Sequence, residues 1–131
     1  MTMSPRELAV RIATLADSKQ AEDIVTLDVG EIVGYTDALV ICTARNERQA
    51  KGIHDEVHLR LKGEDGLLPR RVEGLPEARW VLLDYFDCIL HVFVPETRDL
   101  YRLEQLWGEG ARIELGLDVG AEAPARAVGE A

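Results

Sequence analysis

The chain has 131 residues and carries 24 acidic against 15 basic side chains, which gives a net charge of −9. This length suits one domain with a hydrophobic core, and the negative charge disfavours direct nucleic-acid binding unless a local basic patch exists. No apolar run approaches the ~20 residues of a membrane span, and the N-terminal residues lack a signal-peptide pattern. We therefore expect a cytoplasmic protein without membrane contact, in which Cys42 and Cys88 are reduced and buried.

The first part of the chain predicts a helix followed by two strands. Ser4, Pro5 and Glu7 form a helix start, because Ser and Glu at this spacing make a capping box and Pro is tolerated in the first turn. This helix should end at about residues 17 to 19. Ile24–Val29 and Ala38–Thr43 then predict an antiparallel pair of strands, of which the second is apolar on both faces and therefore interior.

A second helix and a weaker strand follow. Asn46 predicts the N-cap of the helix, with Gln49 at the reciprocal capping position. The segment Gly63–Gly66 should end this helix. Leu67–Glu73 predicts a weaker strand, and Pro69 places that strand at an edge or moves its start later.

Most of the aromatic residues lie between residues 79 and 107. Two short apolar runs, Trp80–Leu83 and Cys88–Val94, are separated by a four-residue acidic connector, and this spacing predicts an antiparallel hairpin. A three-residue connector, Tyr85–Asp87, would put Trp80 opposite Val92. The last helix is predicted over Glu96–Trp107.

The order of these elements predicts an α/β fold of the mixed α+β kind. It consists of a mixed sheet of about five strands flanked by helices, because the strand–helix alternation of a doubly wound parallel sheet is broken twice. Residues 1–108 are predicted to form the single domain. Residues 109–131 read as an acidic, Ala- and Gly-rich disordered tail, in which Arg112–Leu117 could add a short extended piece.

Two groups of residues are candidates for chemical sites. His54 and His58 share a helix face at the spacing of a zinc-protease motif, but a pair alone lacks the further ligands a metal needs, so a solvated helix edge is favoured. Asp84, Asp87 and His91 provide the alternative of a metal-dependent nucleotidyl transferase or hydrolase. The chain lacks the glycine-rich phosphate loop of such enzymes, so we expect no catalysis, metal or cofactor.

The aromatic and acidic residues of the hairpin are instead candidates for a binding surface. Trp80 and Tyr85 can each serve as core residues or as partner-binding anchors, because large aromatic residues with a polar tip dominate binding hot spots. A further hypothesis is that the protein is a homo-oligomeric scaffold, which buries these aromatic residues in its own dimer interface.

Sequence pieces spread over residues 8 to 107 resemble a known family, the Iojap-like ribosomal silencing factors, RsfS in bacteria. The pieces that carry the resemblance are Asp23–Val29, Thr36-Asp37, Val40–Thr43, Arg48-Gln49, Val72–Gly74, Trp80–Tyr85, His91–Phe93, Pro95-Glu96 and Tyr101–Trp107. They occur in the family's order and spacing, and together they are highly specific.

This resemblance implies a fold and a function. The fold is a mixed sheet flanked by helices, similar in shape to nucleotidyl transferases but without known catalysis. Family members bind the large ribosomal subunit through large-subunit protein fourteen, prevent the small subunit from joining and so repress translation when nutrients are short. Members tend to form homodimers, and organelle relatives act in large-subunit assembly, which is a further alternative here.

Two stretches depart from the family pattern. Phe86 stands where the family usually has Gly, which permits positive φ at no steric cost, and a small Gly- and Ser-containing turn is replaced by Ala44–Glu47.

From the resemblance and the charge of the chain, we predict a ribosome-binding factor that is not an enzyme and does not read nucleic-acid sequence. Its predicted partner-binding residues are Trp80, Asp84, Tyr85, Phe86, Asp87, Arg98 and Tyr101. Trp80 and Tyr85 would be apolar anchors, and the aspartates would face basic groups of the partner.

Overall fold

The computed structural model describes residues 3–30, 36–101 and 111–112. In chain order, its helices and strands are α1 (Pro5–Ser18), β1 (Glu22–Asp28), β2 (Ala38–Thr43), α2 (Glu47–Asp65), β3 (Arg71–Glu73), β4 (Trp80–Asp84), β5 (Cys88–Phe93), α3 (Pro95–Tyr101) and β6 (Ala111–Arg112). This order confirms the predicted α/β fold with a mixed sheet flanked by helices. Within the described ranges, no helix is long and apolar enough to cross a membrane.

The strands form one six-stranded sheet in the order β3-β4-β5-β2-β1-β6. Strands β2 and β5 are parallel, and every other neighbouring pair is antiparallel. All residues of β2 and β5 are buried, as expected for strands in the middle of a sheet whose two faces are both apolar. The interior placement predicted for Ala38–Thr43 is therefore confirmed.

Helices α1 and α2 cover one face of the sheet. Their apolar stripes pack on the alternate strand residues that point to that side, among them Val81, Leu83 and Tyr85 of the hairpin. The opposite face carries two smaller buried clusters, one around Leu39 and one around Phe93. Successive residues of the hairpin strands therefore point alternately to the helix-covered face and to the opposite face of the sheet.

The helix starts follow the predicted capping chemistry. In α1 the Ser4 hydroxyl accepts a hydrogen bond from the Glu7 backbone N–H, and the Glu7 carboxylate accepts one from the Ser4 N–H. Asn46 caps α2 through the Gln49 backbone N–H. The Gln49 side chain, however, accepts from the N–H of Arg45 rather than from that of Asn46, so the predicted reciprocal bond is wrong by one residue.

The predicted register of the hairpin is also wrong by one residue. Trp80 lies opposite Phe93 rather than Val92, and Leu82 lies opposite His91. The reason lies in the turn, where the Tyr85 N–H donates to the Cys88 carbonyl at 2.9 Å and so extends the pairing by one step. The connection is thus the two-residue turn of Phe86 and Asp87, which a positive φ of 81° at Phe86 makes possible.

The two ends of the sheet qualify other predictions. The strand predicted over Leu67–Glu73 is shorter, and its three residues form an edge of the sheet. At the other edge, Ala111–Arg112 pair with β1 although they lie in the segment predicted as tail. The boundary at residue 108 stays a prediction, because residues 102–110 and 113–131 lie outside the described residues. The second half of the helix predicted over Glu96–Trp107, residues 102–107, also lies outside them.

Candidate partner-binding surface

Trp80 begins β4 on the sheet face that points away from α1 and α2. Its ring lies 4.9 Å from the ring of Phe93, measured between centroids, and its Nε1–H donates a hydrogen bond to Nδ1 of His91 at 3.0 Å. The side chain is partly exposed. Trp80 is therefore held rigidly by the sheet while part of its indole ring remains accessible, as a binding anchor requires.

His91 is a buried residue of β5, as expected for its interior position. Burial lowers the pKa of its imidazole to about 4, although the charge of Asp84 acts in the opposite direction. Because Nδ1 accepts the Trp80 hydrogen bond, the neutral ring carries its proton on Nε2. The side chain thus fixes the orientation of Trp80.

Phe86 is the most prominent apolar residue of the hairpin, with 61% of its surface exposed at the tip of the turn. The guanidinium carbon of Arg70 lies 4.3 Å from the centroid of its ring, a cation–π geometry. The Phe86 backbone is held by two contacts, since its N–H donates to the Asp84 carboxylate and its carbonyl accepts from the Thr36 hydroxyl. Phe86 therefore has a positive φ, 81°, at the position where the family pattern has glycine, and it adds an exposed ring.

Asp84 is 1% exposed. Its carboxylate is therefore not available to a partner, which corrects the prediction that it faces basic groups of the partner. One oxygen accepts from the Phe86 N–H, and the other accepts from Nε of Arg70 at 3.0 Å and lies 3.7 Å from Nη2 of Arg71. This carboxylate consequently orders the turn and the two arginines. The charges that face solvent here are the guanidinium groups of Arg70 and Arg71 and the carboxylate of Glu73, which lies 3.2 Å from Nε of Arg71.

Tyr85 points to the helix-covered face and belongs to the main core, with 7% of its surface exposed. Burial raises the pKa of its phenol above the usual range. Its hydroxyl has no hydrogen-bond partner within the described part of the chain. This placement corrects the expectation that Tyr85 is a surface anchor, because the alternation along β4 sends it and Trp80 to opposite faces.

The remaining predicted residues are dispersed. Asp87 is partly exposed in the turn, and its carbonyl accepts from the N–H groups of Asp37 and Ala38. Arg98 is buried, where Nη1 donates to the Asp23 carbonyl and the Thr43 hydroxyl at 2.7 Å each. It therefore ties α3 to the sheet and is not a surface residue. Tyr101 ends α3, and its side chain lies outside the described residues.

The structure thus brings together a smaller surface than predicted, which we call the hairpin ridge. It consists of Trp80, Leu82, Phe86, Asp87, Arg70 and Arg71. The prediction from sequence missed Arg70 and Arg71, because their position beside Asp84 follows from the pairing of β3 with β4. The Arg-Arg doublet opposite an acidic turn was the available signal.

Among the described residues, neither alternative chemical site forms a set of side chains that could hold a metal ion. His54 and His58 stack with ring centroids 5.5 Å apart, and Nδ1 of His54 lies 2.9 Å from the Asp55 carboxylate. Among the residues that the structure describes, no three His, Cys, Asp or Glu side chains converge as a metal site would need. Burial raises the pKa of the Cys42 thiol to about 12, which leaves it un-ionised and unreactive at neutral pH.

Comparisons with known proteins agree with this architecture. A family model described as "Ribosomal silencing factor during starvation" matches residues 2–130. A protein of Halalkalibacterium halodurans named ribosomal silencing factor is 37% identical over 113 residues, covering 86% of this chain and 96% of the relative. A mouse protein named for mitochondrial assembly of the ribosomal large subunit is 31% identical over 73% of this chain and 43% of its own length. A crystal structure from Chromobacterium violaceum superposes with a TM-score of 0.78 at 28% identity, covering 92% and 98% of the two chains.

Proposed function

Because this chain belongs to the RsfS family of ribosomal silencing factors, we propose that it binds the large ribosomal subunit through large-subunit protein fourteen. Bound there, it blocks the small subunit sterically and lowers translation when nutrients are limited. The observation that carries the proposal is the family match over residues 2–130. The name of the mouse relative supports the large subunit as the particle that is bound.

The proposed mechanism requires no catalysis, metal or cofactor. A rigid domain occupies a docking surface, and exclusion follows from its volume. The fold supports rigidity, because the buried strands β2 and β5 join the hairpin to the helix layer. An interface of standard size, about 1,200–2,000 Å² in total, is sufficient for a stable complex.

We assign the hairpin ridge as the docking surface. Phe86 projects at the tip, Trp80 is held in place by Phe93 and His91, and Arg70 and Arg71 supply directional donors at the edge. This combination of aromatic anchors and arginines is typical of residues that dominate binding energy. Asp87 offers the carboxylate for a basic group of the partner, the role that Asp84 cannot fill.

Co-sedimentation with isolated large and small subunits tests the proposal. We expect binding to the large subunit alone, and a loss of joined two-subunit particles when the protein is added before the subunits are mixed. Binding without an effect on subunit joining would contradict the blocking mechanism and favour a role in large-subunit assembly. Binding to neither subunit would contradict the proposed function.

A pair of surface substitutions tests the ridge. Phe86→Ser removes an exposed ring from the ridge, whereas Leu59→Ser removes an exposed apolar side chain, 63% accessible, from α2. We expect the first to weaken binding at least tenfold, which is about 1.4 kcal/mol, and the second to leave it unchanged. Equal affinities of both variants and the unsubstituted protein would remove Phe86 from the docking surface.

The proposal extends to location and oligomeric state. We propose a cytoplasmic protein that forms a homodimer. A concentration series in analytical ultracentrifugation, run with and without Phe86→Ser, reports whether the dimer uses the hairpin ridge. A dimer that dissociates in this variant would compete with ribosome binding for one surface.

A further inference from the structure

A basic cleft lies where the end of α1 meets the start of α2, away from the residues of the hairpin ridge. Its volume is about 290 Å³, and it is lined by Lys19, Arg45, Asn46, Arg48, Gln49 and Gly52. Lys19 is separated from Arg45 by 25 residues of sequence. The fold therefore assembles a concentration of positive charge in a chain whose net charge is −9.

The Gln49 side chain fixes the two helix ends against each other. Its Nε2 donates to the carbonyls of Lys19 and Gln20 at 3.0 Å each, and its Oε1 accepts from the Arg45 N–H at 2.6 Å. The backbone that carries Lys19 and Arg45 is thereby held in one arrangement. The backbone on both sides of the cleft therefore has a fixed separation.

Among the residues that the structure describes, the three basic side chains of the cleft have no carboxylate partner. Within the described ranges, no ion pair includes Lys19, Arg45 or Arg48. Other arginines of the chain do pair with carboxylates, namely Arg11, Arg60, Arg70 and Arg71. Glu47 is in the same turn of α2 but does not line the cleft. The unpaired charge is therefore available to an anion from outside.

The helix terminus itself adds little to this attraction. The Asn46 side chain accepts from the Gln49 N–H and so satisfies part of the N-terminal amide groups of α2. The attraction for an anion comes from the three cationic side chains and the cleft between them.

We propose that this cleft binds the phosphate backbone of RNA as a second contact of the protein on the ribosome. The choice of RNA as the polyanion rests on the proposed function. An acidic protein is repelled by RNA over long range, and a local group of unpaired Lys and Arg is what allows it to approach a phosphate-rich surface. The contact is independent of sequence, because the cleft offers charge and no aromatic surface for base stacking.

A charge-reversal pair with a matched control tests the proposal. Arg45→Glu with Arg48→Glu changes the net charge by −4 at the cleft. Arg6→Glu with Lys62→Glu makes the same change at the opposite ends of α1 and α2, about 20 Å away along the helices. The readout is fluorescence anisotropy of a labelled 12-nucleotide RNA of mixed sequence, over a series of salt concentrations, with melting temperatures checked for both variants.

We expect the cleft variant to bind the RNA at least tenfold more weakly than the control variant. Its slope of log Kd against log salt should fall by 1 to 2, because each phosphate contact on a single strand contributes about 0.7. No RNA binding by the unsubstituted protein, or equal losses in both variants, would overturn the inference. Equally tight binding of poly-glutamate or of inorganic phosphate would also overturn it.

The inference and the proposed function can fail separately. Co-sedimentation with large subunits is measured on the same proteins. Loss of RNA binding with full retention of subunit binding by the cleft variant would show that the cleft is not used on the ribosome. If the protein binds RNA through the cleft but co-sediments with neither subunit, the RNA site would be supported and the proposed function would be overturned.

Discussion

The Nε1–H of Trp80 donates to Nδ1 of His91 across two adjacent strands, with 3.0 Å between the nitrogen atoms. This bond joins a partly exposed aromatic residue to a buried histidine. It also fixes the protonation state, because an imidazole that accepts at Nδ1 is neutral. The orientation of the predicted anchor is therefore coupled to pH.

The first prediction concerns the pH dependence of stability. The pKa of His91 is about 4 in the folded protein and 6.5 in the unfolded chain. Above pH 6.5 the histidine is neutral in both states, so its titration does not lower the free energy of unfolding there. As pH falls from 6.5 to 4, the unfolded chain gains a proton that the folded protein does not, and the free energy of unfolding drops by about 3 kcal/mol. Urea unfolding between pH 7.5 and 4.5, followed by tryptophan fluorescence, measures this loss.

His91→Gln provides the control for this measurement. Glutamine offers an oxygen acceptor to Trp80 but does not titrate, so the variant should lose much less stability over the same pH interval. His58→Gln, on the partly exposed edge of α2, should behave like the unsubstituted protein. An unchanged pH dependence in His91→Gln would assign the effect to other groups.

The second prediction concerns backbone strain at Phe86. Its φ of 81° is unfavourable for any residue with a Cβ atom. Phe86→Gly relieves this strain, whereas Phe86→Ala keeps it, and both remove the ring over Arg70. The glycine variant should be more stable than the alanine variant by about 1 kcal/mol, measured by chemical denaturation. The reverse order would mean that the turn is not strained.

The third prediction concerns the buried arginine of α3. Arg98 donates to the Asp23 carbonyl and the Thr43 hydroxyl, and hydrogen bonds from charged groups are the stronger kind. Arg98→Ala should lower the free energy of unfolding by about 2–4 kcal/mol. Thr43→Val, which leaves the bond to Asp23 in place, should cost less than half of that. Equal costs would show that the Thr43 hydroxyl is the essential partner.

The fourth prediction compares two glycines. Gly74 has a φ of +88°, and a Cβ atom there would lie 1.9 Å from the Trp80 carbonyl oxygen. Gly74→Ala should therefore displace β4 and cost about 2 kcal/mol or more. Gly63 lies in α2 with open space around it, so Gly63→Ala should stabilise the protein by about 0.5–1 kcal/mol. Thermal unfolding of the two variants distinguishes these outcomes, and shifts of the same sign would contradict the prediction.

The elements of this protein could be predicted from the sequence because their signals are local. A capping box fixes the start of α1 through residues three positions apart, and the apolar runs of β2 and β5 fix two buried strands. The family resemblance could be read in the same way, because it depends on the order of short motifs.

The composition of the surface was decided by tertiary structure. A positive φ at Phe86 shortened the turn and shifted the hairpin register by one step, while strand alternation placed Tyr85 in the core. Pairing of β3 with β4 brought the arginines to Asp84, which became buried. The basic cleft likewise depends on two helix ends that meet in space. Local periodicity carries no information on such contacts, since they depend on turn geometry and on packing between residues distant in sequence.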